Sequence, residues 1–330
     1  MKAAYIEKTG SADKIIYGDL PKPKPTGSQV LVKTKAVSVN PVDTYIRAGL
    51  VPMELPMPFV VGCDLAGVVE AVGPDAQRFK VGDRVWGSNQ GLLGRQGSFA
   101  EFCAVEEHWL YTIPEEVSFE DAAAIALVGL TAHLGLFRDA LLKMGERVYV
   151  PGGSGGVGSC VVQMARAIGA RVFTTASTEE KVQICRRLGA NMVINYKAGD
   201  VDEALGRFGL VDVWWESLRE PNLERAVDHL APRGRIVIMA GRESRPVLPI
   251  GPFYVKDARL LGFAMFNATP EEQRKSAAEI NRWLARGRLH PQIARVMKLS
   301  EAAEAHRLQE ANTLQKKGTL AGKIVLVPDR

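Results

Sequence analysis

Cysteine and histidine are scarce in this sequence. Its 330 residues include four cysteines and five histidines. The cysteines are far apart and show no paired spacing: Cys63, Cys103, Cys160 and Cys185. This spacing provides neither the framework of a small disulfide-bonded protein nor the ligands of a zinc finger. We therefore expect reduced thiols and no structural metal.

Long apolar runs and tracts of one charge sign are also missing. No apolar stretch approaches the roughly 18 residues of a membrane span, and Met1 to Tyr5 reads as a strand, not as a signal peptide. The formal charge of +5 is dispersed, because basic and acidic residues are interspersed throughout. These features predict a cytoplasmic protein with no membrane partner. They also disfavour nucleic acid as a partner and suit an anionic cofactor.

A strand, a glycine loop, a helix and a second strand follow one another between Gly145 and Ser177. Residues 147–150 predict the first strand, 157–168 the helix and 171–175 the second strand. Glycines three residues apart permit a tight turn, close approach of the main chain to a pyrophosphate, and close packing of helix on strand. The competing interpretation is an ordinary strand-to-helix turn. The spacing favours a dinucleotide site, to which we assign Gly152, Ser154, Gly155, Gly156, Val157 and Gly158.

The end of the second strand indicates which dinucleotide binds. An NAD site usually has Asp or Glu about 20 residues after the first glycine, whereas this chain has hydroxyl residues at 174, 175, 177 and 178. Ser177 and Lys181 can bind a 2′-phosphate, so the sequence predicts NADPH. Ser177 and Glu180 also match a capping box, which would make Ser177 only a helix cap.

Strands and helices continue to alternate after the loop. Apolar strands are predicted at 191–195, 211–215, 235–240 and 259–265, with a helix at 222–230. This order is typical of a parallel sheet covered on both faces, and Trp214 and Trp215 are expected in its core on alternate faces. The first 120 residues instead predict a small β domain with strands at 30–39, 67–72, 84–87 and 99–105. A polar helix at 270–286 and a strand at 323–327 would return to that domain.

The chain resembles the medium-chain dehydrogenase/reductases, and among them the zinc-independent quinone oxidoreductases typified by zeta-crystallin. The segments that carry the resemblance are 39–47, 62–67, 81–85, 129–132, the glycine loop and 322–326. The resemblance implies an α/β fold in which a Rossmann domain, residues 127–266, is inserted into a GroES-like substrate domain formed by residues 1–126 and 267–330. It also implies a homodimer paired through the last strand of the Rossmann sheet.

The resemblance also bears on metal. In zinc alcohol dehydrogenases of this superfamily the catalytic ligands stand at the positions of Asn40, Cys63 and Leu127 here. One possible ligand of three does not hold zinc. We therefore expect no metal, and hydride transfer to an electron-poor acceptor, either a quinone or a conjugated enone.

Three candidate catalytic residues follow from the resemblance. Asn40 can donate an amide hydrogen bond to an acceptor carbonyl, Tyr45 offers a phenol, and Thr131 lies by the cleft. The competing interpretations are a turn residue for Asn40 and a core aromatic for Tyr45. Asp43 is expected to be structural, and His133 to pack within a helix.

Further cofactor contacts are carried over residue by residue. They are Ser177, Lys181, Tyr196, Gly241, Phe266 and Lys323. Tyr196 has a competing interpretation as a core aromatic at a strand end. One departure from the family pattern is Arg219, which stands where related enzymes often have a glycine near the cofactor. It must point away or rearrange its loop.

Two alternatives to a quinone reductase stay open at this stage. An NADPH-dependent reductase of α,β-unsaturated ketones or aldehydes would use the same site. The other is a binding or structural protein that retains NADPH without turnover, with single-stranded RNA as a conceivable ligand. The dispersed charge argues against RNA.

Overall fold

The computed structural model describes residues 1–329. In chain order its strands are β1 (Lys2–Ile6), β2 (Ile16–Asp19), β3 (Gln29–Val39), β4 (Phe59–Val60), β5 (Asp64–Val72), β6 (Arg84–Gly87), β7 (Phe102–Glu106), β8 (Leu110–Thr112), β9 (Arg147–Val150), β10 (Arg171–Ala176), β11 (Met192–Asn195), β12 (Val211–Glu216), β13 (Leu230–Ile238), β14 (Arg259–Gly262), β15 (Ile293–Lys298) and β16 (Lys323–Val327). The α-helices are α1 (Pro41–Arg47), α2 (Phe119–His133), α3 (Gly156–Ala167), α4 (Glu179–Arg187), α5 (Val201–Phe208), α6 (Leu223–His229), α7 (Ile250–Val255), α8 (Pro270–Ala285) and α9 (Ala302–Thr313).

The chain divides into two units. One consists of residues 1–128 together with the described chain from Pro270 onward, and the other is Gly129–Thr269. The first division falls within α2, between Val128 and Gly129. The predicted boundaries, after 126 and after 266, lie within three residues of these.

The second unit contains a parallel sheet in the order β11-β10-β9-β12-β13-β14. Val148 of β9 pairs with Val172 on one side and with Val213 on the other, so the glycine loop leaves the sheet from its middle. The two tryptophans lie on opposite faces. Trp214 packs on Tyr149 with ring centroids 4.3 Å apart, and Trp215 on Phe263 at 6.3 Å. The predicted doubly wound sheet, buried on both faces, is confirmed.

The first unit is mainly antiparallel. Its larger sheet runs β15-β16-β3-β5-β6-β8, with β7 also paired to β3, and a smaller sheet runs β2-β1-β4. Every predicted strand of this region lies at or near its expected place, and β16 begins and ends at the predicted residues. Sequence reasoning missed α1, α9 and the parallel pair of β15 with β16.

One expectation about apolar runs is wrong. The helical stretch Phe119–Asp139 has 21 residues and a mean hydropathy of 1.3 in its most apolar window, which meets the length and composition of a membrane span. Of that window, 83% is buried inside the protein. A helix that is enclosed by other elements is apolar on all sides. This stretch is therefore a core helix.

Two element boundaries also differ from the prediction. The strand expected at 259–265 ends at Gly262 and is followed by a 3₁₀ turn at Met265–Asn267. The helix after β10 has Thr178 as its N-cap, and the Thr178 hydroxyl accepts from the Lys181 N–H at 3.3 Å. The alternative in which Ser177 serves as the cap is therefore wrong.

Candidate active site

The glycine loop has the backbone geometry that its sequence predicts. Gly152 has a φ of +67°, a left-handed conformation that favours glycine. A Cβ on Gly158 would collide with the carbonyl oxygen of Gly152, so the first turn of α3 packs tightly against the loop. Gly155 is the N-cap of α3 and provides no side-chain cap. The first N–H groups of the helix thus lack a side-chain acceptor, which suits an anion.

The hydroxyls at the end of β10 differ in what they bind. Thr174 donates from Oγ1 to the Val150 carbonyl at 2.6 Å, and Thr175 Oγ1 accepts from the Gly152 N–H at 3.3 Å. The first bond ties β9 to β10, and the second ties the glycine loop to β10. Ser177 follows the strand, and its hydroxyl has no hydrogen-bond partner within residues 1–329. Ser177 is 9% exposed, and it is the hydroxyl at this strand end that is left without a protein partner.

Two lysines lie beside Ser177. Lys181, in the first turn of α4, is buried, and its pKa is lowered first by this burial and then by the charge of Lys197. Like charges held close together favour an anion between them. Tyr196 is 49% exposed and precedes Lys197 directly. Sequence reasoning missed Lys197, although its position next to Tyr196 was a usable signal.

A second group of predicted cofactor residues follows the ends of β13 and β14, on the other side of the glycine loop. Gly241 has a φ of +84°, and a Cβ there would lie 3.1 Å from Pro221. Phe266 is half-buried in the 3₁₀ turn that follows β14. A pocket of about 230 Å³ opens at these strand ends, lined by Ile238, Met239, Ala240, Arg242 and Phe263.

Arg219, the departure from the family pattern, points into solvent. Its side chain makes no hydrogen bond or ion pair with any of the described residues. The loop before it is held by Glu216, whose buried carboxylate accepts from the Leu218 N–H at 2.8 Å and from Trp214 Nε1 at 3.3 Å. Burial raises the pKa of this carboxyl.

In the first unit Asn40 belongs to a buried polar cluster. Its Nδ2 donates to Asp64 Oδ2 at 2.7 Å and, over 3.4 Å, to the Ser38 carbonyl. Its Oδ1 accepts from the ammonium of Lys323. The backbone N–H of Asn40 donates to Asp43 Oδ2 at 2.7 Å, which fixes the beginning of α1.

Burial controls the ionisation of this cluster. It raises the pKa of Asp43 to about 7, and the nearby Cys63 thiol partly opposes that rise. Burial also raises the pKa of Asp64, and the pKa of Cys63 lies well above its usual value for the same reason. The charge of Lys323 acts against all three increases.

The remaining predicted residues lie on helices. Tyr45 is half-buried near the end of α1, in the same unit as Asn40. Thr131 is buried on α2, within the second unit. His133 is buried and packs edge-on against Phe137, with ring centroids 4.8 Å apart, which agrees with its expected packing role.

Comparisons with known proteins agree with both units. Residues 26–115 match the alcohol dehydrogenase GroES-like domain, and residues 156–282 match the family described as zinc-binding dehydrogenase. Human quinone oxidoreductase is 34% identical over an alignment of 332 positions, gaps included. The alignment covers 99% of this chain and 98% of that protein. The chain is a medium-chain dehydrogenase/reductase of the quinone oxidoreductase branch.

Two further members of this family are informative. The Escherichia coli quinone oxidoreductase, solved as a complex with NADPH, superposes with a TM-score of 0.86 at 27% identity, and the match covers 99% of this chain and 100% of that one. A 2-haloacrylate reductase from Burkholderia is 32% identical over 344 residues, covering 99% of this chain and 98% of that protein. The present medium-chain reductase is accordingly an NADPH-dependent oxidoreductase.

Zinc does not fit the residues of this family member, despite the description of the matched domain. Asn40 has its amide bonded to Asp64 and Lys323, and Leu127 has no donor atom. The buried ammonium of Lys323 would repel a cation beside Asn40. Within the described part of the chain, no three His, Cys, Asp or Glu side chains converge as metal ligands.

Proposed function

We propose that the enzyme is an NADPH-dependent quinone oxidoreductase that transfers hydride to the quinone without a metal. The names of its relatives and the hydroxyl and lysine residues after β10 support this proposal. An alcohol substrate would need a Lewis acid or base to take its proton, and the carboxyls of the cluster, Asp43 and Asp64, are buried and already bonded to Asn40. An electron-poor acceptor has no such requirement.

The observation that carries the proposal is the pairing of Asn40 with Lys323. The Asn40 amide stands at a position where metal-dependent relatives have a zinc ligand, and its Oδ1 accepts a hydrogen bond from the ammonium of Lys323. The positive charge there belongs to the protein and has no open coordination position. Chemistry that depends on a metal-bound alkoxide is therefore not supported.

Cofactor binding is assigned to the carboxyl edge of the parallel sheet. When bound, NADPH supplies a hydride from its nicotinamide ring. The N–H groups of the Gly152–Gly158 loop would receive the pyrophosphate. Ser177, Lys181 and Tyr196 would hold the adenosine phosphate, with Lys197 as an additional cation. Gly241 and Phe266 would border the nicotinamide side.

In the first unit the acceptor is assigned to Tyr45, with Asn40 needed for turnover. The phenol can donate to an oxygen that gains negative charge, which stabilises the transition state. In the second unit Thr131 stays a candidate catalytic residue. The bonds of Asn40 to Lys323 and Asp64 support a positioning role for this residue, since both of its amide hydrogens already have acceptors.

Reduction of an activated carbon–carbon double bond is the second candidate function. The relative named 2-haloacrylate reductase supports it, because haloacrylate is an electron-poor alkene and not a quinone. The two candidates differ in proton demand. A reduced quinone is protonated on oxygen by water, whereas a reduced enone requires a proton at carbon.

We further propose a homodimer located in the cytoplasm. Support for the dimer comes from apolar residues exposed near the edge strand β14. Ile250, Tyr254 and Val255 on α7 are 62%, 67% and 73% exposed, and Leu260 of β14 is 40% exposed. An apolar edge strand of this kind is normally covered.

The test of the proposed reaction is NADPH oxidation with a panel of quinones, enones, aldehydes and alcohols. We expect quinones to be reduced fastest and enones next. Fastest turnover of an aldehyde or an alcohol would refute the proposal.

A further inference from the structure

Lys323 is a lysine enclosed by protein. Its side chain is 5% exposed, although it begins a strand. Gly322 has a φ of +112°, and any Cβ there would collide with the carbonyl oxygen of Gln292, so only glycine allows this entry into β16. The Lys323 N–H then donates to the same carbonyl at 2.7 Å. The backbone thus fixes where this side chain begins.

The ammonium of Lys323 lies at one end of a buried chain of polar contacts. Its Nζ donates to the Val39 carbonyl at 2.6 Å and to Oδ1 of Asn40, and it lies 4.0 Å from Asp64 Oδ2. The same Asp64 oxygen accepts from Asn40 Nδ2 at 2.7 Å and from Ser38 Oγ at 2.9 Å. The Asn40 amide therefore bridges a buried cation and a buried anion.

The contacts of this chain hold the junction between β3 and α1. Val39 ends β3, Asn40 follows it, and Pro41 begins α1. Lys323 binds the backbone at Val39 and the side chain at Asn40, so it fixes both sides of one peptide unit. Asp43 accepts from the Asn40 N–H on the other side. Tyr45 lies further along the same short helix.

We infer that Lys323 is a positioning residue for the reductase: through Asn40 and Asp64 it fixes the beginning of α1 and hence the place of Tyr45. This inference rests on the proposed function, in which Tyr45 serves the acceptor. It gives Lys323 a different role from the cofactor contact expected from the sequence.

Three roles of Lys323 predict different results. If Lys323 contacts the cofactor, its replacement weakens NADPH binding. A purely structural ion pair would lower stability but leave turnover of the folded protein unchanged. If Lys323 is a positioning residue, its replacement lowers kcat and leaves NADPH binding unchanged. Because Lys323 lies beside Asp64, the replacement also changes how kcat depends on pH.

The experiment compares Lys323→Met with Lys317→Met, which removes one exposed lysine from the loop before β16. The dissociation constant of NADPH is measured by fluorescence, and kcat and KM with a quinone at saturating NADPH. We expect kcat of Lys323→Met to fall about 10- to 100-fold, with NADPH affinity unchanged, and Lys317→Met to match the wild type. Parallel loss of NADPH affinity, or an unchanged kcat, would overturn the inference.

The pH profile gives a second readout. Lys323 lowers the pKa of Asp64 and that of the neighbouring Asp43, so removal of the ammonium lets both carboxyls take up a proton at higher pH. A protonated Asp64 no longer anchors the Asn40 amide as an anion. The acidic limb of kcat should therefore move to higher pH in Lys323→Met, and an unmoved limb contradicts the positioning role.

Loss of one charge from a buried pair can prevent folding. In that case Asp64→Asn and the double variant Lys323→Met/Asp64→Asn are compared, since the double variant leaves no unpaired charge. We expect both to bind NADPH with a kcat below that of the wild type. Wild-type kcat in the folded double variant would refute the inference. A wild type that reduces neither quinones nor enones would instead refute the proposed function.

Discussion

The side-chain Nδ2 of Asn40 lies 2.7 Å from Oδ2 of Asp64 and donates a hydrogen bond to it. Asn40 follows β3 and Asp64 begins β5, two strands that pair antiparallel at the centre of the larger sheet. The bond therefore ties a helix start to the most interior strands of the first unit. A buried carboxylate strengthens and orients the hydrogen bonds that it accepts. This contact therefore fixes the position of α1 relative to the sheet.

Replacement of the lysines beside Ser177 should weaken NADPH binding selectively. A charge-assisted contact to a phosphate is worth about 1 to 3 kcal/mol, so Lys181→Ala and Lys197→Ala should each raise the dissociation constant of NADPH by roughly 5- to 150-fold. Binding of NADH should change little. Titration by fluorescence measures both. Arg187→Ala removes an exposed cation from the same helix and is the control. Equal losses for NADPH and NADH would contradict a role in phosphate binding.

Tyr45→Phe should separate the two kinds of acceptor. Water can protonate a reduced quinone, so the loss of one hydroxyl should change quinone turnover by less than about tenfold. Enone turnover should fall further, because a proton must reach carbon. Steady-state kinetics with both acceptors at saturating NADPH measures this. If the variant binds NADPH but no longer reduces quinones, the phenol is an essential acid and the assigned mechanism is wrong.

His306 should make the protein sensitive to acid. The ring is fully buried and packs edge-on against Phe99, and neither of its nitrogens has a hydrogen-bond partner among the described residues. Burial, and secondly the charge of Arg47, lowers the pKa of His306 to about 3. Arg47 is itself paired with Glu310.

The neutral ring contributes stability that is fully present above the unfolded pKa of about 6.5 and is lost as the pH falls through the folded value. In His306→Leu the loss between pH 6.5 and 4 should be smaller than in the wild type. Urea unfolding at several pH values measures it. His290→Leu, at an exposed histidine, is the control. The same acid dependence in His306→Leu and wild type would show that another group is responsible.

The proposed dimer can be tested on its exposed helix. Tyr254→Asp places a charge among Ile250, Val255 and Leu260 and should produce monomers, because an unpaired charge is costly in an apolar interface. Light scattering should show the mass of two chains for the wild type and of one chain for the variant. Met144→Asp alters an 80% exposed side chain elsewhere in the same unit and should stay dimeric. A monomeric wild type at micromolar concentration would exclude this assembly.

The strand, loop and helix around Gly152 could be predicted almost to the residue because their signals are local. Glycine spacing and helical periodicity act within about 30 residues of chain. Thr178 shows the limit of such signals. Ser177 and Thr178 are adjacent hydroxyl residues, and the pattern that favoured Ser177 as the cap could not detect a shift of one position.

The cluster around Lys323 could not be predicted in this way. Lys323 reaches Asn40 because β16 pairs with β3, and the two residues are 283 positions apart in the chain. Asn40 and Pro41 read as a turn, whereas the Asp43 carboxylate and the proline at the first helical position begin a helix there. Both outcomes depend on tertiary contacts that no local pattern contains.

Metal-free reduction by NADPH is decided by the rate of NADPH oxidation with a quinone, measured with and without a strong chelator, alongside elemental analysis of the same sample. We expect quinone reduction to be faster with NADPH than with NADH, the chelator to leave the rate unchanged, and zinc to be far below one atom per chain. Near-stoichiometric zinc that is removed together with the activity would contradict metal-free reduction.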